Sequence, residues 1–166
     1  MADSLARQLR HKIDEAYGLY YRLILLVGPA GSGKTAVLQE LSAMTSAPLI
    51  NVNLELSRRM LDLTERQRIL QLPQLLGDIV REAAGDLVLL DNFEMLFDRG
   101  LKQDSLRLLQ GLSRNKTIVA AWSGSIIDDQ LIYAVPDHPE YRRYPIRDFL
   151  IVEHDDAGRE ARATKG

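Results

Sequence analysis

Five consecutive apolar residues, Leu23-Ile24-Leu25-Leu26-Val27, run straight into the loop Gly28-Pro29-Ala30-Gly31-Ser32-Gly33-Lys34-Thr35. Behind that loop Val37, Leu38, Leu41 and Met44 recur at helical spacing. A buried strand passing through a glycine-rich turn into a helix restricts the chain to few folds and suggests a parallel sheet covered by helices. The loop matches G-x-x-x-x-G-K-[ST] in full, with Gly28, Gly33, Lys34 and Thr35 at its fixed positions. Glycines let backbone N–H groups converge on phosphate oxygens, and the helix start adds its own unpaired N–H groups and positive dipole end. Residues 28–36 are therefore expected to wrap a polyphosphate, with Lys34 placed between its outer phosphates and the Thr35 hydroxyl on a Mg²⁺. An ordinary turn between strand and helix is the plain alternative; all four fixed positions in the right context weigh against it.

The 166 residues, 46% of them hydrophobic, suffice for one core of ordinary size. One domain is expected over residues 1–153, with residues 154–166 as a polar, disordered tail. The chain contains no cysteine, which excludes disulfides and thiolate metal sites. With no long apolar span and a charged start, a cytoplasmic protein without a membrane segment is expected. A net charge of −2 supplies no global attraction to DNA or an anionic membrane.

Strand and helix signals alternate along the chain. Leu5, Leu9, Ile13, Ala16 and Tyr20 mark an N-terminal helix, and 48–53 reads as a second strand, followed by a short helix through Leu56, Met60 and Leu61. Pro73 is expected to open the next helix, and Gly85 to follow its end. Leu87-Val88-Leu89-Leu90-Asp91 is a continuously apolar strand ending in a carboxylate, as a central parallel strand should read. Asp91 then pairs with Thr35 as the second member of a magnesium site.

Asn92 follows, where related ATPases place a glutamate that polarises water. An amide orients a water but cannot take its proton. Glu94 is two residues further on; an extended backbone would turn it to the same side as Asn92, making it the candidate base, whereas a turn at Asn92 would defeat that geometry. The alternative role for Glu94 is a carboxylate at a helix start.

After a helix through Leu106, Leu109 and Leu112, capped by Asp104, a fourth strand, 117–122, ends in Ser123. Ligands of such sheets bind beyond the carboxyl ends of the strands, so Ser123 is a candidate contact for the terminal phosphate or attacking water, with a plain turn serine as the alternative. Arg142 and Arg143 precede a fifth strand, 149–152, where AAA+ ATPases carry an arginine that enters a neighbouring subunit's site. The alternative is a structural pair stacked on Tyr141 and Tyr144. The fold expected is α/β: a three-layer α/β/α P-loop NTPase with a central, mostly parallel five-stranded sheet, similar to an AAA+ core without a C-terminal lid domain.

The stretches LYYRLILLVGPAGSGKT, INVNLELSRRMLDL, LVLLDNFEMLFD, DSLRLLQGLSRNKTIVAAWSG and HPEYRRYP together resemble the BrxF family, small P-loop proteins of the bacteriophage exclusion (BREX) defence systems. The phosphate loop is too widely shared to name a family; NLELSRR, LDNFE followed by LFD, and HPEYRRYP are more particular. The resemblance implies an ATP-binding accessory protein in restriction of phage DNA, forming a homo-oligomer or docking on larger BREX proteins, with DNA reached through that complex. Relatives are expected to carry Asn where Ser123 stands. Two other functions remain open on the residues: a small-molecule kinase, with Arg58 and Arg142 clamping a second substrate, and a nucleotide-gated interaction module with little hydrolysis, which Asn92 favours.

Overall fold

The computed structural model describes residues 4–134 and 142–154. Helix α1 (Leu5–Ala16) is capped by the Ser4 hydroxyl, which accepts the Arg7 N–H at 3.2 Å. Its apolar stripe stops at Ala16; Tyr20, assigned to the same stripe from sequence, lies beyond the helix and is exposed. Strand β1 (Leu23–Gly28) is buried throughout and feeds the loop that opens α2 (Lys34–Thr45).

Strand β2 is shorter than the sequence suggests, Leu49–Asn51, because the Asn51 side chain accepts the Leu54 N–H at 3.1 Å and starts α3 (Val52–Arg59). Helix α4 (Glu65–Glu82) begins well before Pro73, which lies inside it. The correction has a local cause in a reciprocal capping box, in which Thr64 accepts from Gln67 N–H at 3.2 Å and Gln67 accepts from Thr64 N–H at 2.9 Å. Gly85 follows the helix in a left-handed conformation, φ 83°. Strand β3 (Leu87–Asp91) leads into 3₁₀ turns at Glu94–Phe97 and Arg99–Leu101, then α5 (Ser105–Leu112), capped by Asp104.

Five strands form a parallel sheet in the order β2-β3-β4-β1-β7, with β4 at Thr117–Ile127 and β7 at Leu150–Glu153. β4 runs five residues beyond the expected end and turns into an antiparallel extension, β5 (Gln130–Tyr133) and β6 (Arg142–Pro145), making seven strands in all. The two positive-φ residues Asp128 and Asp129 close the β4–β5 hairpin.

Alternation along β1 divides the core into two. Ile24 and Leu26 pack with Leu9, Ile13, Leu38 and Leu41 of α1 and α2. Leu23, Leu25 and Val27 pack with Leu56, Leu72, Leu76 and Leu109 of α3, α4 and α5. This is the three-layer α/β/α arrangement the periodicity predicts. No helix among the described residues is long and apolar enough to cross a membrane. Residues 138–141, including the Tyr141 expected beside the arginine pair, and the tail from 155 onward lie outside the described residues.

Candidate functional site

The loop from Gly28 to Thr35 lies at the carboxyl end of β1, between β4 and β7. Gly31 and Gly33 hold φ of 80° and 95°, which side chains beyond glycine rarely adopt. Pro29 and Ala30 are exposed on the rim, and the Ser32 N–H donates to Pro29 O at 3.1 Å to close the turn. Lys34 is buried, and its Nζ donates to Gly28 O at 2.9 Å and Pro29 O at 2.7 Å. Burial holds its pKa below the ordinary lysine value, and the carboxylates of Glu94 and Asp91 act against that shift. Thr35 and Ala36 follow on the exposed first turn of α2.

At the end of β3 the Asp91 carboxylate is buried to 7% exposure, and Oδ2 accepts the Thr35 hydroxyl at 2.5 Å. A hydroxyl and a carboxylate in contact at a loop lined with N–H groups are hard oxygen donors of the kind Mg²⁺ takes together with phosphate oxygens and waters. Among the described residues no three of His, Asp and Glu gather into an all-protein metal cage.

Asn92 breaks the extended backbone: its φ is 51°, and its N–H donates to Asp91 Oδ1 at 2.9 Å. The extended-strand route from Asn92 to Glu94 is therefore corrected, because the chain turns at Asn92. Glu94 reaches the loop flank by another path, as first residue of the 3₁₀ turn. Its Oε1 accepts from the Ser123 hydroxyl at 3.4 Å and its Oε2 from Asn53 Nδ2 at 3.2 Å. Ser123 lies opposite Gly28 in the β1–β4 register. Pro29, Ala30, Glu94, Ser123, Gly124 and Tyr133 help line a cavity of about 610 Å³ there.

Asn53 is not among the residues the sequence singles out, since 48–53 reads there as strand. It stands in the first turn of α3, donates its N–H to Asn92 O at 2.7 Å, and accepts the Met95 N–H at 3.1 Å on Oδ1. One amide side chain thus fastens the turn that carries Glu94. A polar residue just past a strand that pairs with the Asp91 strand is the only signal that points to it. His154, placed with the tail in the sequence, is the second residue missed. Its N–H donates to Val27 O at 2.6 Å and its carbonyl oxygen packs so close to Gly28 that a Cβ there would lie 2.2 Å away.

The arginines lie on other elements. Arg142 and Arg143 belong to β6, and the exposed Arg143 donates to Gln130 Oε1 on β5. Arg58 pairs with Glu55 on its own helix at 3.4 Å, and Arg59 pairs with Glu82 of α4 at 2.6 Å.

No curated protein matches the chain. Among solved structures, the chain resembles one in the Drosophila ORC bound to DNA, with 18% identity and a TM-score of 0.49, over 93% of this chain and 43% of that one. It also resembles C. elegans PCH-2, with 19% identity and a TM-score of 0.39, over 90% of this chain and 39% of that one. The chain thus spans about two-fifths of the length of either. The model of the ATPase family associated with various cellular activities matches residues 24–130, well over half the chain, from β1 to the start of β5. With a glycine loop under a buried lysine and a carboxylate facing Thr35, the chain belongs to this AAA family of nucleotide-binding ATPase domains.

Proposed function

We propose that this chain binds ATP with Mg²⁺ and hydrolyses it as an accessory component of a BREX-type anti-phage defence system. The observation that carries the chemistry is the contact of Thr35 with Asp91 at the mouth of the glycine loop, with Glu94 on the adjoining flank. In this reading the loop N–H groups and Lys34 bind the phosphates, which requires Lys34 Nζ to leave the carbonyls of Gly28 and Pro29 for the ligand. Thr35 and Asp91 hold the Mg²⁺, which neutralises phosphate charge. Glu94 accepts a proton from the attacking water on Oε1 or Oε2, and Ser123 orients that water. The defence role is supported by the NLELSRR, LDNFE and HPEYRRYP segments. Arg142 and Arg143 are assigned to a neighbouring copy's site, so turnover rises with assembly.

Calorimetry with ATP, with and without Mg²⁺, beside phosphate release tests the chemistry. Mg²⁺-dependent binding and release of phosphate are expected; no heat at millimolar ATP defeats the reading. Loss of phage restriction on deleting the chain from a strain that carries the defence locus tests the biological role.

A second reading rests on how Glu94 is held. With Asn53 and Ser123 both bonded to its carboxylate and Asn92 unable to accept a proton, the site suits a nucleotide-gated assembly module with little turnover. Light scattering that shows ATP-dependent assembly without phosphate release favours it over hydrolysis.

A further inference from the structure

β1 is flanked by β4 on one side and β7 on the other. Everything assigned above to the reacting end lies on the β4 side: Ser123 at the end of β4, Asp91 on β3 beyond it, and Glu94 bonded to Ser123. The flank of the loop opposite these groups is the β7 side, where the rest of a linear nucleotide with its outer phosphates between Lys34 and Asp91 has room to continue away from them. The side chain that follows β7 is His154.

His154 is held there by its backbone. Its N–H bonds to Val27 O at 2.6 Å, which carries the β1–β7 pairing one residue past Glu153. Its imidazole Nε2 reaches Gly33, lying 3.5 Å from the point a Cβ on that glycine would occupy. The ring's other nitrogen, Nδ1, is buried and has no hydrogen-bond partner among the described residues. A buried lone pair without a partner is less unfavourable than a buried N–H without one, which favours the Nε2–H form of the ring. That puts an N–H donor beside the glycine loop, on the flank opposite Ser123, Glu94 and Asp91.

We propose that His154 is a nucleoside-contacting residue whose Nε2–H donates to a sugar or base acceptor of the bound nucleotide. This rests on the nucleotide-binding function proposed above. It separates the two ends of the ligand: the loop, Lys34 and Asp91 read phosphates, and His154 distinguishes a nucleotide from a bare polyphosphate.

The test is titration calorimetry of the full chain with Mg-ATP and with Mg-tripolyphosphate, which lacks sugar and base. His154→Leu keeps side-chain bulk beside Gly33 and removes the donor, leaving the backbone carbonyl against Gly28 in place; His154→Gln keeps an N–H near the Nε2 position. Neither change touches the backbone bond to Val27, and melting temperatures check the fold. The expected result is a roughly five- to tenfold weaker ATP affinity in His154→Leu, the effect of one lost hydrogen bond. Tripolyphosphate affinity stays unchanged, and His154→Gln recovers most of the loss for ATP. Equal weakening for both ligands places the contact on phosphate and overturns the proposal, as does unchanged ATP affinity in His154→Leu. If the wild-type chain does not bind ATP, whether or not it binds tripolyphosphate, the nucleotide-binding function falls and the proposal with it; where the wild type binds ATP, either of the two preceding results overturns the His154 role alone.

Discussion

Lys34 is held by opposing effects: burial disfavours its charge, and Glu94, Asp91 and two backbone carbonyls favour it. Lys34→Ala removes the ammonium and relieves the burial penalty, so melting of the ligand-free protein should change little. ATP affinity should fall by roughly 30- to 3,000-fold, the effect of deleting one member of a buried charged contact. Affinity within twofold of wild type would remove Lys34 from the site. Glu94 sits between a serine and an asparagine, and those contacts separate its two possible roles. Glu94→Gln can still bond to both but cannot take a proton. ATP binding should persist and single-turnover hydrolysis should drop by about 100-fold or more if Glu94 is the base. Unchanged turnover would leave it as a structural carboxylate at the start of the 3₁₀ turn.

The antiparallel extension on β4 organises the flank of the site at the level of elements. Phe97 of the 3₁₀ turn stacks on Tyr133 of β5 with centroids 3.6 Å apart, and Trp122 of β4 meets Phe97, Tyr133 and Tyr144 edge-on. Hairpin, 3₁₀ turn and the end of β4 therefore form one packed unit. Gly124 is its tightest point: a Cβ there would lie 1.8 Å from Ile132 O, the same oxygen that accepts the Trp122 indole N–H at 3.1 Å. Gly124→Ala must push β5 away from β4. About 1–3 kcal/mol is lost to overpacking, and about 1 more if the indole bond breaks. Urea denaturation should show that loss, and a midpoint equal to wild type would mean that β5 accommodates the methyl group freely. Ser123-Gly124-Ser125 reads as a turn in the sequence; what keeps it extended is antiparallel pairing with β5, Gly124 opposite Tyr133 and Ser125 opposite Ile132.

For the whole molecule, the two cores meet across a sheet whose strands are apolar on both faces, and Tyr144 is where the antiparallel extension closes over the larger of them. Burial, with Asp104 adding to it and Arg142 opposing, pushes the Tyr144 phenol up to about 12. The folded chain therefore holds this proton more tightly than the unfolded chain does. The stability it contributes is complete below the unfolded value of 10.0 and is lost as pH rises toward about 12. Denaturation midpoints should fall more steeply across that alkaline window in wild type than in Tyr144→Phe; parallel curves would show that the phenol is not desolvated. By itself the sequence determined the phosphate loop, the strand that feeds it, the Asp91 strand and the layered class, because each is written in adjacent residues as period, glycine placement and charge. The tertiary structure alone decided that Asn92 turns the chain, that Asn53 and Ser123 converge on Glu94, and that His154 lies on Gly28. Those contacts join residues far apart in the chain, and their existence depends on strand order and register, which no local pattern encodes.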